Sequence, residues 1–127
     1  MSQEKHGTLI DRLIKKTQDR SLEWKTSLLE GRYQISFRDN TVRIHMVDGG
    51  DDGSPFENPM VYLELINDEG IVAETINDEE LDRDIPVEKH FWFKKMTSLF
   101  ELARRSALGS DKILDEILTD LDDDVPF

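Results

Sequence analysis

The feature that most constrains the fold is a strict alternation of apolar and polar residues in the first half of the chain. The apolar members are, in order, Tyr33, Ile35, Phe37, Val42, Ile44 and Met46. A β-strand places successive side chains on opposite faces of its sheet, so this period of two predicts two strands that each bury one face. Asp39-Asn40 lies between the two runs, and because both residue types tolerate positive φ, the pair predicts a tight hairpin turn.

Further strands are indicated before and after this hairpin. Strand-like runs recur at 22–28, 61–65 and 71–76. The last two runs flank Asn67-Asp68-Glu69-Gly70, which is typical of a hairpin loop. Residues 48–59 are rich in Gly, Asp and Pro and predict a longer loop. Because hairpin connections join consecutive strands, we expect the sheet to be mainly antiparallel.

Apolar residues at helical spacing indicate three helices outside the strands. The first is expected from about residue 8 to residue 19, after a flexible arm formed by residues 1–7. Pro86 suits the first turn of the second helix, and Gly109 suits its C-terminal end. A last short helix should end near Leu121, where the apolar pattern stops. Its buried stripe is predicted to consist of Ile113, Leu114, Ile117, Leu118 and Leu121.

Together these elements predict an α+β fold. It should contain a mainly antiparallel sheet of four to five strands, with one N-terminal and two C-terminal helices. The chain has 127 residues, which suits one modest hydrophobic core. We therefore expect a single domain over residues 1–118, followed by an acidic C-terminal tail over residues 119–127.

Composition and charge narrow the classes of function. The chain carries 28 acidic and 16 basic residues, for a formal net charge of −12. This charge opposes general adsorption to nucleic acid or to anionic membrane, because both need a positive surface. The absence of cysteine excludes disulfides and thiolate chemistry. The polar N-terminus lacks the apolar stretch of a signal peptide, so the sequence predicts a cytoplasmic protein.

No motif in the sequence indicates catalysis or a bound metal. None of the three histidines has a second ligand at metal-binding spacing. The loop at 48–59 holds four carboxylates, but its spacing does not match a calcium-binding loop, which needs a glutamate at the twelfth position. These carboxylates are Asp48, Asp51, Asp52 and Glu57. We predict a protein without enzymatic activity, metal or cofactor.

Basic side chains are predicted to line one face of the hairpin. They are Arg32, Arg38, Arg43 and His45. By the alternation they should lie at the surface, opposite the apolar side chains. Such a strip is a candidate for contacts with the phosphates of single-stranded DNA. The alternative is that Glu64 and Glu74, on neighbouring strands, pair with these cations across the sheet.

The tail combines acidic residues with an apolar end, which a merely solubilising tail does not need. Asp120 and Asp122-Asp123-Asp124 are followed by Val125-Pro126-Phe127. Proline restricts the backbone, so less entropy is lost when this end is captured. The Phe127 ring can fill a pocket, and a terminal carboxylate can pair with an arginine or lysine. The aspartates can steer the tail toward a basic rim.

The tip Asp122-Asp123-Asp124-Val125-Pro126-Phe127 resembles the C-terminal tip of bacterial single-stranded-DNA-binding proteins. Those proteins end in acidic residues followed by an aliphatic residue, proline and phenylalanine, and their tip docks replication, recombination and repair proteins. The resemblance covers these six residues and not the body of the chain. It implies that the partners are proteins with a receptor pocket for an acidic Pro-Phe C-terminus, and that all six residues contact the partner.

The body resembles a group of small bacterial and phage proteins without assigned function. The segments that carry this resemblance are Leu22-Glu23-Trp24, the hairpin from Leu65 to Gly70, Leu102-Ala103-Arg104-Arg105, Ala107-Leu108-Gly109 and Leu114. This resemblance implies no functional residues.

We interpret the sequence as that of a non-enzymatic accessory or adaptor protein of bacterial or phage DNA metabolism. Two alternatives stay open. One is a single-stranded-DNA-binding protein of unusual fold, whose acidic tail also shields its own basic strip. The other is a small acidic chaperone-like or inhibitor protein, whose tail only improves solubility. An oligomer is compatible with either, because an exposed sheet edge permits a dimer.

Overall fold

A computed structural model of the chain describes residues 2–47, 59–83 and 91–122. In these ranges the elements are α1 (Ser2–Gln18), β1 (Lys25–Thr26), β2 (Tyr33–Phe37), β3 (Asn40–Val47), β4 (Met60–Ile66), β5 (Val72–Asn77), α2 (Asp78–Arg83), α3 (Phe91–Leu108) and α4 (Ser110–Asp122). The strands form one antiparallel sheet, with one helix before it and the helices α3 and α4 at the C-terminal end. The predicted α+β fold is therefore confirmed.

The sheet is a meander in which each strand pairs with the next one along the chain. An antiparallel neighbour can be reached by a simple turn, whereas a parallel neighbour needs a crossover connection. The pairing places Tyr33 opposite Ile44, Ile44 opposite Leu63, and Leu63 opposite Ile76. All four side chains are buried on the same face of the sheet. The alternation that predicts one buried face is thus confirmed, except at Phe37, which lies beside the turn and keeps 40% of its surface exposed.

The hairpin between β2 and β3 turns one residue earlier than predicted. Phe37 pairs with Asn40, so the two turn residues are Arg38 and Asp39. Arg38 has a positive φ of 39°, a backbone conformation that is typical of tight hairpin turns and not of strands. Arg38 therefore lies in the turn, and the prediction that it shares a strand face with the other basic residues is wrong.

Two further boundaries differ from the sequence prediction. The arm predicted at residues 1–7 is wrong for residues 2–7, because α1 begins at Ser2. Tertiary contacts explain this early start: His6 lies 2.8 Å from Glu74 of β5, and Gly7 packs against the Trp92 ring. β1 has only two residues, because the Ser27 hydroxyl accepts a hydrogen bond from the Leu29 amide and turns the chain.

The helices α1 and α3 cover the apolar face of the sheet. α1 contributes Ile10 and Leu13 to the core, and α3 contributes Met96, Leu99 and Ala103. All five are almost fully buried. Their spacing of three and four residues keeps them on one side of each helix, as the helical pattern requires. Among the described helices, none is long and apolar enough to cross a membrane.

Trp24 is one of the largest fully buried side chains and joins three parts of the fold. Its indole Nε1 donates a hydrogen bond of 2.9 Å to the Thr17 hydroxyl at the end of α1. The same hydroxyl donates a hydrogen bond of 2.6 Å to the Leu13 carbonyl, so it acts both as an acceptor and as a donor. The Trp24 amide donates to the Ser106 hydroxyl of α3 at 2.9 Å. These bonds satisfy polar groups that would otherwise be costly to bury.

The start of α3 is capped from outside the helix. The Asp82 carboxylate, in α2, accepts hydrogen bonds from the amides of Trp92 at 2.7 Å and Phe93 at 3.3 Å. The first amides of a helix have no partner within it, and they favour a negative charge nearby. This cap ties the short helix α2 to α3.

Removing the Thr17 hydroxyl should destabilise the protein measurably. Thr17→Val keeps the side-chain shape but leaves the buried Trp24 Nε1 without an acceptor. We expect a loss of about 1–3 kcal/mol in the free energy of unfolding, measured by denaturant titration. Thr17→Ser retains the hydroxyl and should lose less. A larger loss in Thr17→Ser than in Thr17→Val would show that methyl packing matters more here than the hydrogen bond.

Candidate functional site

Three basic side chains on the outer face of the sheet surround one carboxylate. Arg43 lies directly across from Glu64, and its Nε donates a hydrogen bond of 2.9 Å to Glu64 Oε1. Arg32 donates to the same oxygen at 3.4 Å. The Nδ1 atom of His45 lies 3.6 Å from that oxygen. We call Arg32, Arg43, His45 and Glu64 the outer-face cluster.

Burial and mutual charge set the protonation of the outer-face cluster. Burial alone would raise the pKa of Glu64, but the Arg43 hydrogen bond and the nearby positive charges outweigh it and hold that pKa below its usual value. Burial lowers the pKa of His45, and the charge of Arg32 lowers it further. The Tyr62 ring stacks on His45, with 5.2 Å between ring centroids.

The cluster confirms one sequence prediction and corrects another. Pairing of Glu64 with the basic strip is confirmed, but pairing of Glu74 with it is wrong. Thr75 lies opposite Glu64, so Glu74 faces the other side of the sheet, where it contacts His6. The basic strip is therefore a compact group with its own counter-ion, and a phosphate would have to compete with Glu64 for the arginines.

A second buried carboxylate has a structural explanation. Asp78, the first residue of α2, accepts a hydrogen bond of 2.7 Å from the Val61 amide of β4. Burial raises the pKa of Asp78. A raised carboxyl pKa can indicate a functional site. Here the hydrogen bond explains the burial, because it fastens α2 to the sheet.

The sequence prediction is wrong for α4, whose apolar stripe is exposed. The stripe was predicted to be buried, yet each of its side chains keeps 49–65% of its surface exposed. Its members are Ile113, Leu114, Ile117, Leu118 and Leu121. A contiguous exposed apolar patch commonly marks an interaction surface. We call these five residues the α4 stripe.

Charged contacts at the start of α4 hold its polar side toward the body. Gly109, at a φ of 68°, ends α3 and lets α4 begin in a new direction. The Asp111 carboxylate then lies 2.7 Å from Arg105 of α3 and 3.7 Å from Arg20, just beyond α1. The polar face of α4 borders an open groove, whose other walls include Trp24 and the end of α3. Since a helix has two opposite faces, the α4 stripe points away from this groove.

The predicted partner-binding tip begins at the end of α4. Asp122 is the last residue of that helix and is exposed. Within the described residues, α4 therefore extends to the predicted helix end near Leu121. Asp123, Asp124, Val125, Pro126 and Phe127 lie outside the described residues. The four carboxylates of the predicted loop at 48–59 also lie outside them. Within the described ranges, no group of three His, Cys, Asp or Glu residues is arranged to hold a metal ion.

Comparison of the chain with protein-family models, with curated proteins and with solved structures finds no match. The resemblance of the tip and that of the body both stay predictions. Function is accordingly inferred from the sequence of the tip and from the geometry of the described residues.

Neutralising Glu64 should change both the stability of the protein and the pKa of His45. In Glu64→Gln the side chain keeps its shape, but Arg43 and Arg32 lose their counter-ion. We expect a loss of about 1–3 kcal/mol in the free energy of unfolding. The pKa of His45, followed by NMR titration, should fall further, because the Glu64 charge is the contribution that raises it. Glu74→Gln, on the other side of the sheet, is the control and should leave the His45 pKa unchanged. An unchanged His45 pKa in Glu64→Gln would contradict the geometry of the cluster.

Proposed function

We propose that the protein is a non-enzymatic accessory or adaptor protein of bacterial or phage DNA metabolism, acting in the cytoplasm. In this proposal its acidic C-terminal tip docks on proteins that recognise the tail of single-stranded-DNA-binding proteins. The observation that carries the proposal is the tip itself, in which three aspartates are followed by Val125-Pro126-Phe127.

The chemistry of the tip defines the receptor. The ring of Phe127 and the pyrrolidine of Pro126 need an apolar pocket. A carboxylate on Phe127 needs an arginine or lysine at the bottom of that pocket, and Asp122-Asp123-Asp124 need a basic rim. Because this epitope is short, we expect a dissociation constant in the micromolar range, roughly −8 kcal/mol.

The position of α4 supports this proposal. All of its side chains from Asp111 to Asp122 are exposed. Its 13 residues correspond to an axial length of roughly 20 Å, so Asp122 lies well away from Gly109, where α4 leaves α3. The last turn of α4 carries Asp120 and Asp122 and no basic residue, which opposes the helix dipole and favours an end at this point.

The outer-face cluster makes DNA binding the weaker alternative. The guanidinium groups of Arg32 and Arg43 already bind Glu64. Arg38 lies in the turn, and the whole chain carries a net charge of −12. Each feature reduces the attraction for phosphates. The apolar end of the tip likewise favours docking over a purely solubilising role.

Binding to a receptor should depend mainly on Phe127. We expect the full chain to bind purified proteins that recognise the tip, measured by calorimetric titration, and a free tip peptide to displace it. Deletion of Phe127, Phe127→Ala, or extension of the chain beyond Phe127 should each weaken binding at least tenfold, because each removes the ring or moves the carboxylate. Phe37→Ala, which truncates an exposed phenylalanine in the body, is the matched control. Equal binding by all forms, or binding by none, would refute the proposal.

A gel shift with single-stranded DNA separates the adaptor from the DNA-binding alternative. The adaptor proposal predicts no shift at low salt in the absence of a partner. The alternative predicts a shift that strengthens when residues 120–127 are deleted, because their carboxylates no longer compete with phosphates, and that weakens steeply with salt. A shift with these two properties would replace the adaptor proposal by DNA binding.

A further inference from the structure

We propose that the α4 stripe is a second docking surface, separate from the tip, and that it binds an apolar groove bordered by lysine or arginine on a partner protein. The binding mode would be that of an amphipathic helix laid into a groove, with apolar side chains spaced three and four residues apart as anchors. This inference concerns residues 113–122, which share Asp122 with the tip, and it does not depend on what the tip binds.

The five apolar side chains of the α4 stripe form one continuous surface because of their spacing along the helix. Successive residues of a helix are rotated by roughly 100°, so the five members of the α4 stripe fall within one side of α4. Each keeps about half of its surface exposed. Lys112, Asp115 and Thr119, on the opposite side of α4, line the groove toward the body. The stripe is therefore directed outward.

The charge around the stripe identifies the partner. α4 contains five acidic residues and one lysine, and all six side chains are exposed. By helical geometry Asp120 borders the stripe on the side of Ile117, and Asp122 borders it on the side of Leu118. A groove with basic edges would place a positive charge opposite each border.

The same charges argue against a second copy of the chain as the occupant. Two α4 helices packed stripe to stripe in parallel would bring Asp120 of one near Asp122 of the other, and antiparallel packing would bring Asp122 of one near Asp111 of the other. Like charges opposed at close range disfavour such a pairing. Lys112, the one basic residue of α4, lies on the groove side and cannot offset them.

A synthetic peptide provides the test. The probe is a fluorescently labelled amphipathic helix of leucine and lysine, and the charge control is the same peptide with glutamate in place of lysine. The protein is used as the full chain and as a form lacking residues 123–127. The apolar anchors are removed in Ile117→Ser/Leu118→Ser, which changes no charge. Leu28→Ser truncates an exposed leucine elsewhere and is the matched control.

We expect the full chain to bind the lysine peptide and not the glutamate peptide. Ile117→Ser/Leu118→Ser should weaken binding roughly tenfold or more, because two half-exposed anchors are lost. Leu28→Ser and removal of residues 123–127 should have little effect. Asp120→Asn/Asp122→Asn should weaken binding and reduce its dependence on salt.

Several results would overturn the inference. Absence of binding to the lysine peptide, or equal binding by Ile117→Ser/Leu118→Ser, would show that the stripe is not an anchor. Equal binding of the glutamate peptide would show that charge plays no part. Sedimentation of the full chain as a dimer that Ile117→Ser/Leu118→Ser dissociates would assign the stripe to a second copy. The tip is tested separately, with its own receptor. Failure of the tip proposal would appear as absence of binding to that receptor, which differs from each of the peptide results above.

Discussion

The buried ring of Trp24 fixes the arrangement on which the rest of the structure depends. Its hydrogen bonds to Thr17 and Ser106 hold the end of α1 and the end of α3 against the edge of the sheet. α4 leaves the fold directly after this point. Of the arginines that contact Asp111, Arg105 lies at the end of α3 and Arg20 lies just beyond α1. α4 therefore begins next to the place where Trp24 closes the core, although Trp24 itself lies away from the proposed docking surfaces.

Charge is used differently on two surfaces of the molecule. On the outer face of the sheet, Arg32, Arg43 and His45 surround Glu64, so positive and negative groups neutralise each other within a few ångströms. On α4 the acidic residues are exposed and accompany apolar side chains. In the first arrangement the charges are already paired with one another. The second leaves both apolar area and negative charge for a partner to use, which is why we place function at the C-terminal end.

Strong local patterns in the sequence predicted the sheet and the helices, whereas features set by tertiary contact were missed. Alternation placed Ile35 and Ile44 in the core, because a strand offers only two faces. The start of α1 was missed, because contacts of His6 and Gly7 with distant residues stabilise that turn. The prediction that the α4 stripe is buried was wrong for a similar reason. An amphipathic pattern shows which side of a helix is apolar but not which element, if any, covers that side. In the candidate site, the Arg43–Glu64 pairing followed from strand order, but the position of Glu74 depended on the exact register.

We propose that partners bind the C-terminal end of the chain and not the sheet. The most direct measurement is NMR chemical-shift mapping of the isotopically labelled full chain with a purified protein that recognises the tip. We expect the amide shifts of Asp122 to Phe127 to change, while those of Arg32, Arg43 and Glu64 stay in place. Changes centred on the outer-face cluster, with the C-terminal residues unaffected, would contradict it.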